Sequence, residues 1–218
     1  MCYTENKERC DVMNYPIICI SREYASGGRE IGERLAKILN LPFYDRTIVD
    51  QAAVASGLSP EFIEQEEQRF RNHVLFGLSM GSHAVTPPGA SLSDQVFAAQ
   101  REVILKAAEQ GPCVIVGRCA DYILRDHPNL FTVFISANQE YRKQRAVEQY
   151  GCQPEKVEKI LHTMDKNRGR HYHYYTDRTW GDRSLYHIMV NAGTLGPDLC
   201  VELLANAVTQ YAKDSAKG

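Results

Sequence analysis

Ser21-Arg22-Glu23-Tyr24-Ala25-Ser26-Gly27-Gly28-Arg29-Glu30-Ile31 is the stretch whose reading decides the fold. Before it, Pro16–Ile20 (PIICI) is an apolar run of strand length. After it, Ile31, Leu35, Ile38 and Leu39 recur at the spacing of one helix face. A strand that hands over to a helix through such a turn gathers backbone N–H groups and the positive end of a helix dipole at one point, which favours phosphate. Gly27 and Gly28 admit positive φ and close approach of an anion to the backbone. The standard phosphate loop, G-x-x-x-x-G-K-[ST], is matched only in part. With Gly27 as its last glycine, Gly28 stands in place of lysine and Arg29 in place of the hydroxyl residue. With Gly28 as its last glycine, Arg29 replaces lysine and Glu30 the hydroxyl residue. In both registers Arg29 is the nearest cation, able to grip phosphate bidentately but bulkier than lysine.

The pattern repeats outward. Leu41–Tyr44 reads as extended, Thr47–Ser56 and Pro60–Leu78 as helical, and Gly77–Ser93 as a loop rich in Gly, Ser and Pro. Asp94–Gln110 is a helix broken by Gly111-Pro112, Cys113–Val116 a buried strand, and Ala120–Arg125 a short helix. Leu130–Ser136 is a strand, and Asn138–Tyr150 and Pro154–Arg170 are helices. Tyr186–Val190 is a last strand, and Pro197–Ala212 a closing helix. Strands alternating with helices predict an α/β fold: three layers, a parallel sheet flanked by helices. Ligands of such sheets gather at the carboxyl ends of the strands, where Ser21–Gly28 and Gly117-Arg118 are delivered. The expected organisation is a flexible tail over 1–14 and a single domain over 15–218.

Composition narrows the partners. The 218 residues carry a net charge of −2 and are 44% apolar, so no basic field for duplex nucleic acid is expected. No apolar run reaches the roughly 18 residues of a membrane span. Residues 1–14 lack the apolar core of a signal peptide. The seven cysteines are scattered, without a Cys-x-x-Cys pair, and read as thiols of a cytoplasmic protein. No metal-ligating or hydrolase arrangement is legible, and oligomeric state cannot be read.

ISREYASGGREIGERLAKILNLPFYDRTIV, then VIVGRCADYILRD, FISANQEYRKQRA and MDKNRGRHYHYYTDRTWGD, together resemble the cytidylate kinase-like proteins among the P-loop nucleoside monophosphate kinases. The resemblance implies a P-loop kinase fold with a helical lid over roughly 142–183. It also implies ATP with Mg²⁺ at the loop and a nucleoside monophosphate such as CMP as phosphate acceptor. Ser26, Gly27, Gly28, Arg29 and Glu30 fall in the phosphate loop by this likeness, and Arg142 and Arg145 where relatives contact ATP. Tyr44-Asp45 falls at the acceptor segment. Gly117-Arg118 matches the centre of an Asp-Gly-Arg-Asp acceptor motif whose flanking acids are here Val116 and Cys119, with Asp121 two residues late. Lys166, Arg168 and Arg170 look like lid cations.

Several residues keep two readings. Lys166–Arg170 is either a set of catalytic lid cations, with Arg29, or a solvated helix face. The aromatic cluster His171–Tyr175 with Trp180 either packs the lid or stacks on a base. Arg118 binds phosphate or makes a structural ion pair. Asp45 binds a ribose hydroxyl or Mg²⁺ through water, or caps the helix that follows it. Two functions stand open: ATP-dependent phosphoryl transfer to a small molecule, or a nucleotide-binding sensor or interaction protein without turnover, as the missing lysine would allow.

Overall fold

β1, Ile17–Arg22, is apolar on both faces because both faces are covered. Ile18 and Ile20 pack with Ile31, Leu35 and Leu39 of α1 (Gly28–Leu39) and with Cys200, Leu204 and Val208 of the closing helix. Ile17 and Cys19 face Val103 and Ile104 of α2 (Leu92–Glu109) on the other side. Each such side chain, taken fully from water, contributes about 1.5–3 kcal/mol. β2 (Phe43–Tyr44), β3 (Val114–Val116), β4 (Leu130–Ser136) and β5 (Ile188–Asn191) complete a five-stranded sheet of order β2-β3-β1-β4-β5. Every pairing is parallel, with Ile18 opposite Val114 on one side of β1 and Phe131 on the other. The expected three-layer α/β fold is thus the observed one. The computed structural model describes residues 14–45, 48, 51 and 92–215. The helix read over Thr47–Ser56 apart from residues 48 and 51, the helix read over Pro60–Leu78, and nearly all of the Gly77–Ser93 loop lie outside those residues.

Helix ends follow local chemistry. Asn40 closes α1 in the left-handed conformation, φ 54°, as its short polar side chain allows. Asn138 caps α4 (Gln139–Tyr150), its side-chain oxygen accepting from the Tyr141 N–H at 2.9 Å, and left-handed Gly151 ends it. A 3₁₀ turn, Pro154–Lys156, leads into α5, Val157–Thr176. That helix runs six residues beyond the expected end at Arg170, because its aromatic residues find partners. Tyr172 is buried, and Tyr175 stacks on Phe97 with ring centroids 3.8 Å apart. A single-turn helix, α3 (Ala120–Ile123), follows β3. The closing helix, α6, spans Ala192–Ser215 rather than starting at Pro197, with a non-helical break at Gly196 just before that proline.

α4 and α5 pack as a pair over the amino end of α1, with a small core of their own. Ala146, Val157 and Leu161 close around Ala25 of the loop between β1 and α1. These two helices form the lid of the fold, and they rest on that loop through apolar contact.

α1 lies close to the sheet at Gly32, where a Cβ would sit 3.0 Å from Ile20 Cδ1 and 3.2 Å from Val116 Cγ2. Gly32→Leu is expected to overpack this contact and lower stability by about 1–3 kcal/mol. The measurement is the urea unfolding midpoint, and an unchanged midpoint would show that the layer has slack.

Candidate functional site

The loop from Glu23 to Gly27 is held from both ends. The Glu23 N–H donates to the Ile135 carbonyl at 3.0 Å, and the Glu23 carboxylate accepts from the Ala137 N–H at 2.9 Å. Ala25 adopts φ 59°, and Ser26, fully buried, donates its hydroxyl to the Glu23 carbonyl at 2.9 Å. Gly27, φ 85°, is the N-cap of α1, and its carbonyl accepts from the Ile31 N–H. Gly28 is the first helical residue and, unlike Gly27, is not left-handed. The turn glycine that closes the loop is therefore Gly27. This puts Gly28 at the position of the standard lysine, Arg29 at the hydroxyl position, and Arg22 where the pattern has its first glycine.

Cations crowd this loop from two helices, α4 and α5. Arg142 of α4 donates to the Tyr24 carbonyl at 2.8 Å, lies 3.3 Å from Glu23, and pairs closely with Asp165 of α5. Asp165 in turn accepts from the Tyr24 N–H at 2.7 Å. Arg145 lies along Gly27, its Cζ 3.6 Å from where a Cβ would be, and pairs with Glu30 at 2.5 Å. Burial is the largest influence and opposes the Arg145 charge, yet the Glu30 hydrogen bond and charge, with smaller contributions from Tyr141 and Tyr150, together outweigh it and the pKa is raised. Arg145 Nε remains buried with no hydrogen-bond partner among the described residues. Arg168 donates to the Arg22 carbonyl at 2.9 Å and lies over the Tyr24 ring. Burial first, and the Arg22 charge second, push its pKa down to about 9.

The strand edge beside the loop is also polar. Asp45, directly after β2, pairs with Arg29 at 2.6 Å and lies 3.8 Å from Arg22. Arg29 is 61% exposed, and the hydrogen bond to Asp45 raises its pKa. After β3, Gly117, Arg118 and Cys119 are all left-handed, at φ 77°, 59° and 54°. Two successive non-glycine residues in that region, together with Ala25, concentrate backbone strain on the two loops at the carboxyl edge, as binding sites do.

Of the residues singled out in the sequence, Ser26, Gly27, Gly28, Arg29, Glu30, Arg142, Arg145 and Arg168 come together at the loop, with Asp45 beside them. Others sit elsewhere. Lys166 is exposed, on a hollow of about 800 Å³ that is also lined by Gln139, Arg142, Glu158, Leu161, His162 and Asp165, so the hollow shares Arg142 and Asp165 with the loop. Arg170 has one guanidinium nitrogen, Nη1, buried without a hydrogen-bond partner. Tyr44 turns its hydroxyl to Gln110 at 3.5 Å. Asp121 is buried and accepts from the Tyr172 hydroxyl at 2.7 Å, and burial raises its pKa. The aromatic cluster packs: Phe97 on Tyr175, and Phe134 on Trp180 and Tyr186. Sequence reasoning missed Arg22 and Asp165. The signal for Arg22 was present, as an arginine at a glycine position paired with a glycine at a lysine position. Asp165 gave none, being one acid in a charged helix.

The loop fits a polyphosphate. It offers a left-handed glycine at a helix N-terminus and, at Arg145, a buried guanidinium nitrogen in want of an acceptor. Magnesium fits only as a partner of that phosphate. Among the described residues no cluster of three or more His, Cys, Asp or Glu is placed to hold a metal, and Asp45 directly follows β2 at the strand edge. No helix among the described residues is long and apolar enough to cross a membrane.

The comparisons agree with this architecture. An uncharacterized protein from Eubacterium ventriosum has a crystal structure similar to this one, with a TM-score of 0.65 and 25% identity over 88% of this chain and 98% of that one. Shikimate kinase from Bacteroides thetaiotaomicron is similar in fold, at a TM-score of 0.52 and 14% identity over 91% of this chain and 98% of that one. So is a gluconokinase from Sinorhizobium meliloti, at 0.51 and 15% over 93% and 98%. No curated protein matches the chain. The model of the cytidylate kinase-like family matches residues 17–194, from β1 into the first turn of α6, and the chain belongs to that family.

Proposed function

We propose that the protein transfers a phosphoryl group from ATP, bound with Mg²⁺ at the Ser26–Glu30 loop, to a small acceptor at the Asp45 and Arg118 edge. A nucleoside monophosphate such as CMP is the leading acceptor. The observation that carries this reading is the convergence of Arg145, Arg168 and the Gly27 turn on one point at the carboxyl edge of β1. Phosphoryl transfer asks a protein mainly for alignment and charge neutralisation. Backbone N–H groups at Gly27–Glu30 hold the phosphates, and Arg168 from the lid neutralises charge between donor and acceptor. Arg29 orients Asp45, which takes a ribose hydroxyl or a magnesium-bound water. Arg142 sets the loop's shape by gripping Tyr24 and Glu23. Lys166 and Arg170 extend the cationic lid, and Asp121 supports the acceptor wall through Tyr172. Magnesium, when bound, supplies charge neutralisation on the phosphate oxygens. The dispersed thiols, unpaired at each of the described cysteines, support a cytoplasmic setting, with no duplex nucleic acid or membrane as partner.

A second reading, nucleotide binding without turnover, is favoured by the loop's substitutions. No lysine follows Gly27, and Glu30 is tied to Arg145. Coupled ADP release with ATP, Mg²⁺ and a panel of nucleoside monophosphates, nucleosides and small alcohols separates the two. Acceptor-dependent turnover, lowered by Arg29→Ala, is the expected result. Calorimetric ATP binding with no turnover on any acceptor supports the second reading, and absence of any nucleotide binding sinks both.

Arg168 gives a pH test. Its pKa is already pushed down to about 9 before an anion arrives, and a bound phosphate would raise it. At a pH near 9, and not at neutral pH where the group is already protonated, ATP binding should then take up a fraction of a proton, and affinity should fall as pH rises through that value. The falling limb should vanish in Arg168→Met, whose affinity is expected to be about tenfold to a hundredfold weaker, as for loss of a charged hydrogen bond. Titration calorimetry in two buffers of different ionisation enthalpy reads the proton uptake directly, and its absence in the wild-type protein contradicts the assignment.

A further inference from the structure

We infer that Arg22 supplies the cation that the phosphate loop lacks at Gly28, its guanidinium contacting the terminal phosphates of a bound triphosphate. The inference rests on the loop binding a nucleotide, and it assigns the lysine's work to a residue outside the loop's ordinary cation position.

The steric relation between Arg22 and Gly28 is the first ground. A Cβ on Gly28 would lie 2.5 Å from Arg22 Cβ and 2.9 Å from Arg22 Cγ. Both contacts are with the root of a side chain, which has no freedom to swing away. One side chain can therefore occupy the space over the end of β1, and it can start from position 22 or from position 28, not from both. The standard loop leaves the first position as glycine and starts the cation from the helix. This chain has the opposite arrangement.

The second ground is where the side chain goes. From β1 it passes over Gly28 and reaches the end of β3, where a Cβ on Gly117 would lie 2.1 Å from Arg22 Nη1 and 3.1 Å from its Cζ. The guanidinium thus lies between the loop and the Gly117–Arg118 turn, on the path from donor to acceptor. Its only ionic neighbour of opposite sign among the described residues is Asp45, at 3.8 Å, too long for a hydrogen bond. Asp45 is already engaged by Arg29 at 2.6 Å. Arg29 itself is mostly in water and turned to that acid, so it is poorly placed to take the lysine's role.

The third ground is electrostatic. Arg168 is held against the backbone of Arg22, and the Arg22 charge, after burial, disfavours the charge on Arg168. Two arginines kept close at the end of a strand are a charge arrangement that an anion completes.

The test moves the cation. Binding of ATP and of inorganic tripolyphosphate is measured by calorimetry for the wild-type protein, Arg22→Met, Arg22→Lys, Arg22→Gly, Gly28→Lys and the double variant Arg22→Gly/Gly28→Lys, with circular dichroism melts as the folding control. Arg22→Met should weaken both anions about tenfold or more, since a charged hydrogen bond to phosphate is lost, and Arg22→Lys should keep most of the affinity. Gly28→Lys alone should lose binding or stability through its clash with Arg22. The double variant, with the clash removed and the cation restored from the helix side, should bind better than Arg22→Gly. A purely structural Arg22, bracing Asp45, would not be rescued in this way. Wild-type-like binding by Arg22→Met overturns the inference while leaving the nucleotide reading intact, as does a folded double variant no better than Arg22→Gly. A wild-type protein that binds neither anion overturns both.

Discussion

The carboxylate of Asp165 is the contact on which the rest of the site depends. It accepts the Tyr24 N–H, pairs with Arg142, and lies 3.9 Å from Arg168. A backbone amide of the loop and two guanidinium groups thus meet one acid from α5. Burying charge is expensive, and an ion pair taken from water returns that cost only when its remaining donors and acceptors are satisfied. Here they are: Arg142 also reaches the Tyr24 carbonyl and Glu23, and Glu23 also receives the Ala137 amide. The chain of contacts links β1, the loop, β4, α4 and α5, so the loop's shape and the lid's position are one arrangement.

Glycine placement follows from that arrangement. The loop needs a left-handed residue at Gly27 to turn into α1, and it needs an absent side chain at Gly28 for a different reason, the passage of Arg22. Two adjacent glycines that look alike in sequence therefore answer to separate constraints, one conformational and one steric. Gly117 joins them: its φ of 77° suits a left-handed residue, and its missing Cβ leaves room for the same guanidinium.

The layers were legible in the sequence because burial on both faces of a parallel strand leaves an unbroken apolar run, as in PIICI and LFTVFIS, and because Asn40 and Asn138 mark helix ends by their own chemistry. The end of α5 was not legible. A run such as His171–Tyr175 says that rings are present but not which neighbours they stack on, and Phe97, a partner of Tyr175, lies far off in the chain. The site divided in the same way. Ser26–Glu30 could be found because strand, turn and helix are local. Arg22 was read only as one residue of the Ser21–Ile31 loop, whereas it ends β1, and its importance rests on the missing Cβ atoms of Gly28 and Gly117, one of them distant in sequence. Asp121 was read as an acceptor-site acid, and its position in the chain gave no hint that Tyr172 would cover it.

A cation rooted in a strand differs physically from one rooted in a helix. Lysine on the first turn of a helix has a flexible stem and can follow a phosphoryl group as it moves. Arg22 starts from a strand paired on both sides, its stem lies against Gly28, and its planar head is boxed by Gly117. It offers fixed orientation and little travel. Arg168, on helix α5, donates to the Arg22 carbonyl and is crowded by the Arg22 charge, so the second guanidinium at this edge is rooted in a helix. On the proposed reading, the charge that the standard loop places on one mobile lysine would be divided between a fixed arginine in the sheet and an arginine on α5. The division ties charge neutralisation to the lid's seat on the loop, which Asp165 controls.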